Sequence, residues 1–76
     1  MVMDSAKIRE HLAVAEEKIK EAKARITDQE RRVEQLSADG HETGEAERML
    51  ANLKKMLQTM AQHRNIILAE LERNTV

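Results

Sequence analysis

The sequence predicts an all-α fold: an antiparallel two-helix hairpin, coiled-coil-like, whose copies pair into a four-helix bundle. Leu12, Ile19, Ile26 and Val33 stand seven residues apart, with Ile8, Ala15, Ala22 and Leu36 interleaved. That is the apolar repeat of a helix built to lie along other helices. A second apolar-periodic segment follows after one glycine-containing break. This second segment carries more apolar columns than one partner helix covers, which points to pairing between copies.

The 76 residues form one small domain, spanning 1–76 and near the size below which a single core struggles to hold a fold. With no Phe, Tyr or Trp, its core is built from Leu, Ile, Val, Ala and Met. Charged residues make up 36% of the chain, with no proline and two glycines, a composition that suits long solvated helices. The formal net charge of −1 provides no long-range field for phosphate backbones. Cysteine is absent, so disulfides and thiolate metal sites are excluded. Met1-Val2-Met3-Asp4 does not read as a secretory leader, and no run approaches the roughly 20 apolar residues of a membrane span. The expected location is the cytoplasm.

Helix one is expected over about 5–38, starting where Asp4 or Ser5 accepts a bond from the free first-turn amides. Its inner positions are Ile8, Leu12, Ala15, Ile19, Ala22, Ile26, Gln29, Val33 and Leu36. Gln29 either fixes register as a buried amide or sits at the edge and reaches solvent. On the outside, Glu16–Lys20, Glu21–Arg25 and Asp28–Arg32 set an acid four residues before a base, each worth a few tenths of a kcal/mol at most.

The turn is expected over 39–43. Gly40 fits the left-handed residue just past a helix end, and Thr43 fits the N-cap of the next helix, with Glu45 and Glu47 in its positive first turn. So short a connection makes the helices antiparallel neighbours.

Helix two is expected over about 44–73. Its seam is assigned to Ala46, Leu53, Met60 and Ile67 together with Met49, Met56 and His63. The third column, Leu50, Leu57 and Leu71, is interrupted by Arg64; with Val14, Ile66 and Leu68 it is assigned to the self-association face. Folding about Gly40 is expected to set Ala46 near Leu36 and Leu71 near Leu12.

The stretch Leu36-Ser37-Ala38-Asp39-Gly40-His41-Glu42-Thr43-Gly44-Glu45-Ala46-Glu47-Arg48-Met49-Leu50 resembles a group of very short bacterial helical-hairpin proteins of unassigned function. Their pattern joins a charged helix through a Leu-x-x-Asp-Gly-His-(Asp/Glu)-Thr turn to a helix opening Glu-Ala-x-x-Leu-Leu. Gln62-His63-Arg64-Asn65 and Ile67-Leu68-Ala69-Glu70-Leu71 are similar to the segments that follow, with Met49 replacing the first leucine. The resemblance implies a stand-alone hairpin and carries no activity.

Chemistry finds little footing. No Glu-x-x-His or His-x-x-x-His places ligands on one helical face, so neither metal nor cofactor is expected. His63 is read as a packed seam histidine, with a switch or a ligand pair at a dimer interface as the alternative. His41 is read as capping or covering the end of helix one. The methionines Met49, Met56 and Met60 are read as core filling opposite Ala15 and Ala22, with an adaptable binding groove as the alternative. Ser5 and Ser37 have no histidine placed to activate them, and no phosphate-binding loop is present, so no enzyme is expected.

The expected role is a non-enzymatic interaction, scaffold or regulatory module: a homodimer open to a further protein partner. The alternative, nucleic-acid association through Lys18, Lys20, Lys23 and Arg25, or Arg31 and Arg32, has its cations spread and mixed with acids, and no aromatic to stack on bases.

Overall fold

The computed structural model describes residues 4–74; residues 1–3, on which the reading of the leader partly rests, and residues 75–76 lie outside the described residues. Two helices, α1 (Ser5–Ala38) and α2 (Gly44–Asn74), pack antiparallel into a rod of 58 × 15 × 14 Å. α1 is unbroken because Ala, Glu, Lys and Arg fill its outer positions and neither Gly nor Pro occurs within it. It starts at Asp4, whose Oδ1 accepts the Ala6 N–H at 3.2 Å and whose carbonyl accepts the Ile8 N–H at 3.1 Å.

The end of α1 is a paired set of backbone bonds around Gly40. The His41 N–H donates to the Leu36 carbonyl at 2.9 Å, and the Gly40 N–H donates to Ser37 at 3.1 Å. The His41 bond requires the backbone to turn left-handed at the residue before it, and Gly40 does so at φ +75°. His41 therefore caps α1 through its backbone, while its side chain is exposed. A Cβ added at Gly40 meets nothing within 4 Å, so the cost of Gly40→Val is chiefly conformational. We expect that variant to lose about 1–2 kcal/mol, read as a lowered melting temperature with helical content unchanged. An unaltered melt would contradict the strain argument.

Thr43 stands at the N-cap position of α2, and its carbonyl accepts the Glu47 N–H at 2.8 Å. Glu45 and Glu47 lie in the positive first turn, and Arg73 lies in the negative last one. At the far end, Asn74 Nδ2 donates to the Glu70 carbonyl at 2.7 Å, one residue beyond the expected helix limit.

The core is unequally supplied. Ile8, Ala15, Ile19, Ala22, Ile26 and Gln29 of α1 are buried, whereas on α2 only Ile67 is buried among the described residues. Near the open end, Ile8, Ala15 and Ile67 form a cluster, with Leu12 and Leu71 packed against it. The other inner residues of α2 are half-buried. Leucine and methionine side chains thus lie over a narrow stripe of Ile and Ala, and α2 offers more apolar surface than α1 covers.

Which column of α2 faces α1 differs from the sequence expectation. A row of half-buried and buried positions runs Ala46, Leu50, Leu53, Leu57, Met60, Arg64, Ile67, Leu71, Asn74, alternating by four and three, with Ala61, Leu68 and Glu70 half-buried beside it toward the open end. Leu50, Leu57 and Leu71 therefore belong to the intrachain seam rather than to an outer face. Met49 and Met56, assigned to the seam, are 56% and 51% exposed, and His63 is exposed as well. Arg64 explains the difference. Its charge interrupts the stripe in sequence, yet the residue is half-buried, and its Nε and Nη2 donate to Asn65 Oδ1 at 3.3 and 3.2 Å. The aliphatic stem serves the seam while the guanidinium stays with its neighbour.

Leu68 is also displaced from its expected group. It follows Ile66 by two positions, about 200° around a helix, so the two do not share a face. Among the ion pairs, Asp28 engages Arg31 at 3.8 Å instead of the expected Arg32, with both side chains largely exposed and the bond correspondingly weak.

Candidate interaction face

One side of the hairpin carries a groove between the helices, and heptad geometry sets its walls. On α1 the column beside the buried Ile8–Ala15–Ala22 row is His11, Lys18, Arg25 and Arg32. Beside the seam of α2 stands the column Met49, Met56, His63 and Glu70, which Glu42 continues into the turn. Three hollows follow one another along this line. The first, at the open end, is lined by His11, Val14, Lys18, His63, Ile66 and Glu70 above Ala15 and Ile67. The middle one is lined by Lys18, Glu21, Arg25, Leu53, Met56 and Met60 above Ala22. The third, at the turn, is lined by Arg32, Leu36, Glu42, Glu45, Ala46 and Met49 with Gln29 at its base.

All four large apolar side chains exposed among the described residues line this groove: Val14 at 54%, Met49 at 56%, Met56 at 51% and Ile66 at 60%. On the other side of α1, the corresponding column is Arg9, Glu16, Lys23 and Glu30, all exposed. The groove flank thus sets the exposed apolar side chains among charged ones, whereas the column on the other side of α1 is charged throughout. A chain of this size seldom leaves such a flank to water unless something covers it.

Gln29 floors the turn end. It is 9% exposed, and its Nε2 donates to the Ala46 carbonyl at 3.0 Å. Of the two readings open in sequence, the structure gives the buried amide. The bond sets Ala46 against Gln29 as well as in the same hollow as Leu36. A buried amide satisfied only by one carbonyl of the opposite helix penalises slippage, because any other register leaves its donors without a partner. No buried side-chain nitrogen or oxygen among the described residues lacks a hydrogen-bond partner.

Of the residues with possible chemistry, His11 and His63 share the open-end hollow with Glu70. Among the described residues, however, no group of three His, Cys, Asp or Glu side chains converges as a metal site. The cations weighed for nucleic acid are all exposed, with Lys18, Arg25 and Arg32 on the groove side and Arg31 paired to Asp28. No helix among the described residues is long and apolar enough to cross a membrane.

Val14 and Ile66 are the two residues of the expected association face that the structure exposes together. Met49 and Met56 were missed as surface residues. Their seven-residue spacing is visible in sequence, but a column only about 50° from the true seam looks the same until the rotation of the helix is known. No protein-family model, curated protein or solved structure matches this chain.

Proposed function

We propose that this chain is a non-enzymatic interaction module: a helical hairpin that self-associates through its apolar flank into a four-helix dimer, which then serves as a scaffold for, or regulator of, another protein. The observation that carries the reading is the gathering of Val14, Met49, Met56 and Ile66 on one flank. Near-neutral net charge lets two copies approach without mutual repulsion. Burying those four side chains on both copies supplies apolar drive, part of which the entropy of association offsets. The turn motif's resemblance to short bacterial hairpin proteins of unassigned function fits the same architecture and adds no reaction.

Ile66→Glu tests it. Ile66 is 60% exposed in the single hairpin, so the substitution leaves the fold intact and places one charge per copy in the proposed contact. In sedimentation velocity the parent is expected to migrate as a dimer and the variant as a folded monomer. Equal association of the two would remove this flank from the interface.

A further inference from the structure

Taking the groove to be the contact between two copies, as proposed above, we infer that the paired hairpins lie parallel, with both turns at one end and each α1 against the partner's α2. The charges lining the groove are divided by helix. From α1 come three cations and one acid, Lys18, Arg25 and Arg32 with Glu21. From the turn and α2 come three acids, Glu42 and Glu45 at the turn end and Glu70 at the open end, while the outer hollows beside Met56 and Ile66 add Lys55, Glu72 and Arg73.

Two identical faces meet about a two-fold axis lying in the contact plane. If that axis runs along the rod, the cationic helix of each copy covers the acidic helix of the other. If it runs across the rod, α1 covers α1 and α2 covers α2, setting like charges together along both lines of contact. Like-charge juxtaposition is what suppresses a wrong arrangement.

The apolar residues give the same answer independently. Val14 and Ile66 line one hollow, so they stand at one height on the rod. In the parallel arrangement Val14 therefore lies level with the partner's Ile66. With the axis across the middle of the rod, as full overlap of the two grooves requires, Val14 is carried from the open end toward the turn half of the other α1, where Asp28 and Arg32 stand. The parallel dimer has unlike poles, with two turns side by side at one and the chain ends at the other. A protein binding the turn pole meets two copies of the Asp39–Thr43 segment together.

A single nitroxide label at His41→Cys reads the arrangement, because the chain has no cysteine of its own and the His41 side chain is exposed. Its backbone bond to Leu36 survives the substitution. The expected distance between labels in the dimer is of the order of the rod's 15 Å width, not its 58 Å length. Charge exchange gives a second reading that does not depend on the label. Arg32→Glu and Glu42→Lys should each raise the dimer dissociation constant by about three- to tenfold, and the double variant should recover most of the loss. Labels separated by the rod's length, or tighter association of Arg32→Glu alone, would overturn the parallel arrangement and leave self-association standing. A sedimenting mass of one chain, with no intermolecular distance, would remove both.

Discussion

Ile19→Asp is expected to abolish the folded hairpin. Ile19 is 5% exposed and sits in the middle of the α1 stripe, away from either fraying end. Removing the isoleucine forfeits its transfer energy and leaves a cavity, at a cost of about 2–5 kcal/mol. Arg64, the charged residue of the facing row, directs its guanidinium to Asn65, and desolvating the carboxylate that replaces Ile19 adds to that cost. A helical chain of this length has a total stability of only about 3–5 kcal/mol from a single core. The sum exceeds what is available. Far-ultraviolet circular dichroism at room temperature should show loss of the helical signal and of a cooperative melt. A variant that melts near the parent temperature would mean that α1 turns another face to α2.

The second large effect separates two neighbouring residues. Leu57→Glu should lower hairpin stability by about 2–4 kcal/mol, because Leu57 lies in the half-buried four-three row of α2. Met56→Glu should shift it by less than about 0.5 kcal/mol, since Met56 is 51% exposed and both residues are good helix formers. In association the effects diverge in the opposite sense: Met56→Glu yields a folded monomer. Thermal melts at concentrations too low for pairing, followed by sedimentation at higher concentration, resolve the two. If Leu57→Glu were the benign change and Met56→Glu the damaging one, α2 would be rotated to the assignment first read from its sequence.

The hairpin was legible in the sequence because each of its parts has a local cause. Ile8, Leu12, Ala15, Ile19, Ala22 and Ile26 repeat without a charged interruption, so the stripe of α1 could be read directly, and every one of them is buried or half-buried. Asp4 and Gly40 act through bonds to residues a few positions away, and such bonds depend little on the rest of the fold. The rotation of α2 was not legible. Three apolar columns lie side by side on it, and the choice among them is made by the opposing surface of α1. The one local clue, Arg64, pointed the wrong way because a long side chain divides into an apolar stem and a polar head. The exposed flank inherits that uncertainty: Val14 and Ile66 are exposed, as an outer face requires, while Met49 and Met56 take the exposed positions the sequence reading gives to Leu50, Leu57 and Leu71. Gln29 was ambiguous for a related reason, since the carbonyl it bonds lies on the other helix.

The claim that this flank joins two copies is tested most directly by the mass of the unmodified chain in solution. Sedimentation equilibrium across the micromolar range should give a mass twice the 8.7 kDa of one chain, falling toward that value on dilution. A chain that keeps its helical circular dichroism and stays at 8.7 kDa throughout would contradict the account.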